Sequence, residues 1–133
     1  MANGASLAAS GGMNKKSVVL VVEDDALIRL SAVAIVEDAG FEALQAANAD
    51  AAIRILETRA DIRLVFTDVE MPGSMDGIRL AHYIRDRWPP VQMLVASGKA
   101  IIAERDLPDG ARFFGKPYRD HLIANAIREM IPA

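Results

Sequence analysis

Leu64-Val65-Phe66-Thr67-Asp68 is a short apolar run that stops at a single carboxylate. A run of this length and composition reads as a buried strand. The residues that follow, Val69-Glu70-Met71-Pro72-Gly73-Ser74, cannot extend a strand through the proline and glycine, so they form a loop over the sheet's edge. In an open parallel sheet, ligands bind just beyond the carboxyl ends of strands, which is where Asp68 falls. Alone, an aspartate at such a place reads as a helix cap or turn residue. The rest of the chain changes that reading.

Upstream, Ser17-Val18-Val19-Leu20-Val21-Val22 is an uninterrupted β-branched run, the pattern of a central strand buried on both faces, and it ends in Glu23-Asp24-Asp25. Leu27, Ile28, Ala32, Ile35, Val36 and Ala39 then fall at helical spacing and are expected to face inward, with Gly40 as the stop. Phe41 to Ala46 predicts a second strand. Asn48 is placed to cap a helix with Ala51, Ala52, Ile55 and Leu56 on its inner face. Ile62 to Thr67 is the third strand. A helix over Gly77–Arg87 puts Leu80, Ala81 and Ile84 inward and ends at Pro89-Pro90. Val91 to Ala96 predicts a fourth strand ending at Ser97-Gly98-Lys99. A short helix is expected over Ala100–Arg105, and a turn at Leu107-Pro108-Asp109-Gly110. Ala111 to Phe114 is the fifth strand, ending at Gly115-Lys116-Pro117. A last helix over Arg119–Met130 carries a stripe of Leu122, Ile123, Ala126, Ile127 and Met130. Five alternations of strand and helix imply an α/β fold, a doubly wound parallel sheet with helices on both faces.

The chain has 133 residues, of which 52% are hydrophobic, which suits one domain with a substantial core. Residues 1–15 read as a flexible leader, small and polar with no secretory signal, and 16–133 as the folded domain. The apolar runs are too short to span a membrane, and a net charge of −3 advertises neither nucleic acid nor an anionic membrane as a partner. With no cysteine there is neither a disulfide framework nor a thiolate metal site, which fits a cytoplasmic location.

Four strands therefore end in reactive residues on one rim: Glu23 and Asp24, Asp68, Ser97 and Lys116. Three carboxylates brought together either raise a pKa or recruit a cation, and all-oxygen donors favour Mg²⁺, with Mn²⁺ as the substitute. The plainer account of Glu23-Asp24-Asp25 is acidic charge at a helix N-terminus, and it fits Asp25 better than the other two. Lys116 can neutralise charge on a transferring phosphoryl group, and the Ser97 hydroxyl can bond a phosphoryl oxygen on Asp68. Their plainer accounts are a solvated lysine and a turn serine. His82, His121, Trp88 and the arginines 85, 87, 112 and 119 read as packed or solvated residues with no chemical role.

Val21-Val22-Glu23-Asp24-Asp25, Thr67-Asp68 with Met71-Pro72, Met75-Asp76-Gly77, Ser97-Gly98 and Lys116-Pro117 occur in that order. In this the chain resembles the receiver domain of two-component response regulators, over about residues 16–131. The resemblance implies a flavodoxin-like sheet of order 2-1-3-4-5. It implies that Asp68 accepts a phosphoryl group from the phosphohistidine of a sensor histidine kinase or a histidine phosphotransfer protein. Asp24, Asp68 and the backbone carbonyl of Glu70 would bind Mg²⁺, with Glu23 acting through water. Matching Arg29 to the arginine many receivers carry there leaves Asp25 outside the acidic pair. Ser97 takes the switch hydroxyl position, Phe113 the switch aromatic and Lys116 the phosphoryl-contacting lysine. Two departures stand out: Gly73-Ser74 lengthens the loop after Asp68, and the stretch from Ser97 to Lys116 is a few residues short.

The expected function is a phosphorylation-controlled interaction module, not an enzyme in the ordinary sense, with a downstream protein partner and a phosphorylation-dependent homodimer among its expected assemblies. The chain ends at Ala133, just after the last helix, so a stand-alone receiver is expected. The alternative is an aspartyl-nucleophile phosphatase acting on small phosphoesters. Phosphatases of the haloacid dehalogenase type carry a second Asp two residues on as general acid, where this chain has Glu70. A flavin-binding flavodoxin is disfavoured, because Glu23 and Asp24 would repel a phosphate. Glu70 and Lys99, each two residues beyond a rim residue, are expected to pair as a gate over the phosphorylated site.

Overall fold

Strand β1 (Val18–Val22) is buried along its whole length and lies between β2 (Glu42–Ala46) and β3 (Ile62–Asp68), parallel to both. Beyond β3 come β4 (Gln92–Ser97) and β5 (Arg112–Gly115), so the sheet has five strands in the order β2-β1-β3-β4-β5. This is the order 2-1-3-4-5. The helices are α1 (Ala26–Asp38), α2 (Ala49–Thr58), α3 (Gly77–Arg87) and α4 (Asp120–Met130). The computed structural model describes residues 16–99 and 104–132. The expected leader and residues 100–103 of the expected short helix lie outside these; Glu104–Asp106 forms one 3₁₀ turn.

Side chains alternate across the sheet and build a core on each face. Val18, Leu20 and Val22 of β1 pack with Val65, Met93 and Val95, under Ala52 and Leu56 of α2 and Leu80, Ala81 and Ile84 of α3. Val19 and Val21 pack on the other face with Leu64, Phe66 and Leu94, under Ala32, Ile35 and Val36 of α1 and Ile123, Ala126 and Ile127 of α4. Among the described residues, the connection between β4 and β5 is held by an apolar anchor and by polar contacts. Leu107 is buried in the first core, the ring Nε2 of His82 lies 2.9 Å from the Asp106 carbonyl, and Arg85 donates to the Asp109 carbonyl.

Two expectations about helix faces are corrected. Leu27 and Ile28 are exposed (77% and 42%), and only Ala32, Ile35 and Val36 of the expected α1 stripe are buried. Both lie in the first turn of α1 and join neither core; Ile28 instead borders Lys116 and Tyr118 at the strand ends. Leu122, expected on the α4 stripe, is 44% exposed; it lies one position off the line through Ile123, Ala126 and Ile127. Among the described residues no helix is long and apolar enough to cross a membrane.

Candidate functional site

The strand register builds the site. Val22 pairs with Thr67, so Glu23 and Asp24 leave β1 where Asp68 ends β3. Asp68 pairs with Ala96, which puts Ser97 one residue further out; Ser97 pairs with Gly115, which puts Lys116 one further again. A backbone bond from Lys116 N–H to the Ser97 carbonyl (2.8 Å) locks that last step. The ends of β1, β3 and β5 thus deliver Glu23, Asp68 and Lys116 to one cleft lined also by Phe66, Thr67, Ala96 and Tyr118, with Ser97 next to Ala96 at the end of β4.

In that cleft Lys116 Nζ lies 2.7 Å from Asp68 Oδ1 and 3.5 Å from Glu23 Oε1. One carboxylate oxygen from each of Glu23, Asp24 and Asp68 lies within 4.8 Å of the others. Glu23 and Asp68 are buried, whereas Asp24 is exposed. Burial pushes the Asp68 carboxyl above the usual carboxylate range against the opposing pull of Lys116, and the charges of Glu70 and Asp24 push the same way. Burial also raises Glu23, partly offset by the Asp25 N–H that donates to its Oε2 at 3.0 Å. Burial by itself would lower Lys116, but its bond and charge pairing with Asp68, together with the Glu23 charge, outweigh that and raise it. Lys116 opposes the desolvation of both buried carboxylates, whereas the neighbouring carboxylates add to it.

The donor set fits a hard divalent cation. It is all oxygen, it comes from two strand ends, and three carboxylates facing one ammonium leave an excess of negative charge. Asp25 stands apart, as expected: its side chain caps α1, accepting from Leu27 N–H (2.9 Å) and Ile28 N–H (3.0 Å).

Ser97 is buried and its Oγ donates to Glu70 Oε2 at 2.5 Å; Gly98 N–H donates to Glu70 Oε1 at 3.3 Å. In this unmodified state the Glu70 carboxylate is taken by the end of β4, and no ion pair joins it to Lys99 among the described residues. Phe113 is half-buried on β5, paired with Val95 and packed against the first core, outside the cleft.

Four contributors escaped the sequence reading or entered it without their physical role. Arg29 donates to the Glu23 carbonyl (2.8 Å) and to Gln45 Oε1 (3.1 Å), fixing the backbone that carries the acidic pair. The buried Thr67 hydroxyl donates to the Asp68 carbonyl at 2.9 Å. Tyr118 rests on Phe66 with ring centroids 6.0 Å apart. A Cβ on Gly77 would lie 2.1 Å from the Asp68 carbonyl oxygen, so only glycine lets α3 start against the end of β3. Its N–H closes the loop by donating to the Val69 carbonyl at 2.9 Å. The added loop residues find room as well: Gly73 takes φ +107°, which favours glycine, and Ser74 Oγ donates to Asp50 Oδ1 at 2.7 Å. Of these signals, only the glycine and the arginine were visible in one dimension, as fixed steps from strand ends.

Comparison with known proteins gives a consistent picture. Residues 19–128 match the family described as response regulator receiver domain. The sensor kinase CckA of Brucella abortus is 31% identical over 123 residues, which are 90% of this chain and 13% of that protein. The chain thus spans a small part of the curated relatives it matches. A response regulator receiver protein from Sinorhizobium medicae superposes with a TM-score of 0.78 at 25% identity, covering 86% of this chain and 94% of that one. The response regulator TrrA from Thermotoga maritima, solved in complex with Mg²⁺ and BeF, superposes with a TM-score of 0.75 at 19% identity, covering 86% and 99%.

Proposed function

The chain belongs to the response regulator receiver domain family, and on that premise we propose that Asp68 is its phosphoacceptor, taking a phosphoryl group from a phosphohistidine. The donor is a sensor histidine kinase or a histidine phosphotransfer protein, and the product is an acyl phosphate that alters what the chain binds. The observation that carries this reading is the placement of Asp68: a buried carboxylate at the end of a central strand, 2.7 Å from an ammonium and beside two more carboxylates.

In the proposed step an Asp68 carboxylate oxygen attacks phosphorus, the P–N bond breaks, and the departing imidazole takes up a proton. Lys116 offsets the negative charge carried by the phosphoryl oxygens. Asp24, Asp68 and the Glu70 backbone carbonyl are the groups that would hold Mg²⁺, with Glu23 behind them. The ion would supply charge neutralisation at the phosphoryl oxygens. That TrrA was solved with Mg²⁺ and BeF supports carrying this expectation to the same fold here. Ser97 takes the switch hydroxyl role and Phe113, on the strand beside it, the switch aromatic role. Zero cysteines and the two-component reading together favour the cytoplasm. The phosphatase alternative asks Glu70 to act as general acid, yet its carboxylate is occupied by Ser97 and Gly98.

The test is modification by acetyl phosphate with Mg²⁺, followed by intact mass. Wild type gains one phosphoryl group and Asp68→Asn gains none; equal labelling of the two would reject the assignment.

A further inference from the structure

Phosphotransfer to Asp68 requires nothing of the Glu70 side chain, yet that carboxylate accepts two hydrogen bonds from the end of β4. It receives the Ser97 hydroxyl at 2.5 Å through Oε2 and the Gly98 N–H at 3.3 Å through Oε1. The Lys99 N–H donates to Ser97 Oγ at 3.0 Å. The serine oxygen is thereby an acceptor towards Lys99 and a donor towards Glu70. A hydroxyl has one proton. While Glu70 holds it, Ser97 has no proton to offer an oxygen on Asp68.

We infer that Glu70 is a positioning residue, a latch that holds the Ser97 hydroxyl and the start of the β4 exit loop in an off position until a phosphoryl group on Asp68 competes the proton away. This rests on the reading of Asp68 as phosphoacceptor and concerns how the resulting signal is set. The latch is charge-assisted at the acceptor, which makes it stronger than a bond between neutral groups. The two carboxylates also feel one another, since the Glu70 charge pushes the Asp68 carboxyl upward. Further negative charge on Asp68 therefore repels Glu70 while it attracts the Ser97 proton. An open groove lined by Glu70, Met71, Pro72, Ile78 and Lys99 lies beside the latch. It gives the released carboxylate water and the Lys99 ammonium as new partners. The Glu70–Lys99 pairing absent in this state belongs, on this account, to the phosphorylated one.

A latch of this kind makes the signalling state harder to reach, so its removal should tighten binding of a phosphoryl mimic. The probe is beryllofluoride with Mg²⁺, titrated into wild type, Glu70→Ala, Ser97→Ala and the double variant. Glu70→Ala should bind it about tenfold more tightly, the change that loss of one competing charge-assisted bond supports. In the Ser97→Ala background the same substitution should gain less than about threefold, because the proton at issue is gone. A simple loss of repulsion between Glu70 and Asp68 would give the same gain in both backgrounds. As a second readout, the Gly98 amide proton resonance of unmodified Glu70→Ala should lie near its position in beryllofluoride-bound wild type. A gain that survives Ser97→Ala, no gain at all, or a Gly98 resonance unmoved by Glu70→Ala overturns the latch while leaving Asp68 as phosphoacceptor. If wild type itself binds no beryllofluoride, the phosphoacceptor reading fails and the latch fails with it.

Discussion

Replacing Asp68 by asparagine should stabilise the protein when divalent cations are removed, although it deletes an ion pair. The Asp68 charge sits among two carboxylates with oxygens within 4.8 Å and one ammonium at 2.7 Å. At an effective dielectric of about 20, unit charges 4.8 Å apart interact by roughly 3.5 kcal/mol and at 2.7 Å by roughly 6 kcal/mol. Two repulsions and one attraction therefore almost cancel. What remains is the desolvation of a carboxylate that is 7% exposed, which the pairing with Lys116 does not outweigh. The upward push on the Asp68 carboxyl has the same sign, since folding disfavours the ionised form. Asparagine keeps the shape and removes the charge. The expected gain is about 1–3 kcal/mol, or a rise in Tm of roughly 3–10 °C for a chain of this size.

The assay is thermal unfolding in EDTA and again with a saturating excess of Mg²⁺. A ligand at 100 times its Kd stabilises the native state by about 2.7 kcal/mol. Wild type should take that stabilisation and Asp68→Asn only a small part of it, so the gap between them narrows or reverses with Mg²⁺. A variant that melts at or below wild type in EDTA would show that Lys116 more than compensates the buried charge. A gap unaffected by Mg²⁺ would show that the cation does not use Asp68.

Three further outcomes follow from the geometry. Gly77→Ala forces a methyl group against the Asp68 carbonyl oxygen; it should cost about 1–3 kcal/mol of stability and weaken beryllofluoride binding, read by denaturant unfolding and titration. Arg29→Ala removes the bonds to the Glu23 carbonyl and to Gln45; it should cost about 0.5–1.5 kcal/mol and weaken Mg²⁺ binding several-fold, with unchanged affinity refuting a role in placing Glu23 and Asp24. Burial raises the Tyr118 phenol above the usual tyrosine range. Because the folded state then holds its proton longer than the unfolded one, stability falls as pH rises above about 10. Ultraviolet titration at 295 nm, compared with Tyr118→Phe, should show one phenol ionising late; a normal midpoint would contradict its burial.

Strands β1, β3 and β4 were legible because they are apolar runs buried on both faces, and α1 to α4 because they carry helical stripes, two signals that survive projection onto one dimension; the strand order came with the resemblance and from neither signal. Errors came where a stripe outruns the surface it packs on. Leu27 and Ile28 satisfy the period, yet both are exposed and join neither core, Ile28 bordering Lys116 and Tyr118 instead. At about 100° per residue, Ile123, Ala126 and Ile127 span an arc of about 100°, and Leu122 falls about 40° outside it. Such misses are failures of height and angle, which a period cannot encode.

The rim was legible for a related reason and only to a related depth. A parallel register converts the question of which residues meet into the question of which residues end strands, and Glu23, Asp24, Asp68, Ser97 and Lys116 all answer it in sequence. The choice among partners once they meet is another matter. Glu70 and Lys99 look like a pair because each lies two residues beyond a rim position and their charges are opposite. The Glu70 carboxylate instead takes Ser97 and Gly98, because a backbone N–H and a buried hydroxyl at a strand end need an acceptor, while the ammonium of an exposed lysine is already satisfied by water. Opposite charge predicts a contact only when neither group has a neighbour that would be left unpaired without it. In this chain that neighbour is Ser97, and its need for an acceptor ties the end of β4 to the loop that follows Asp68.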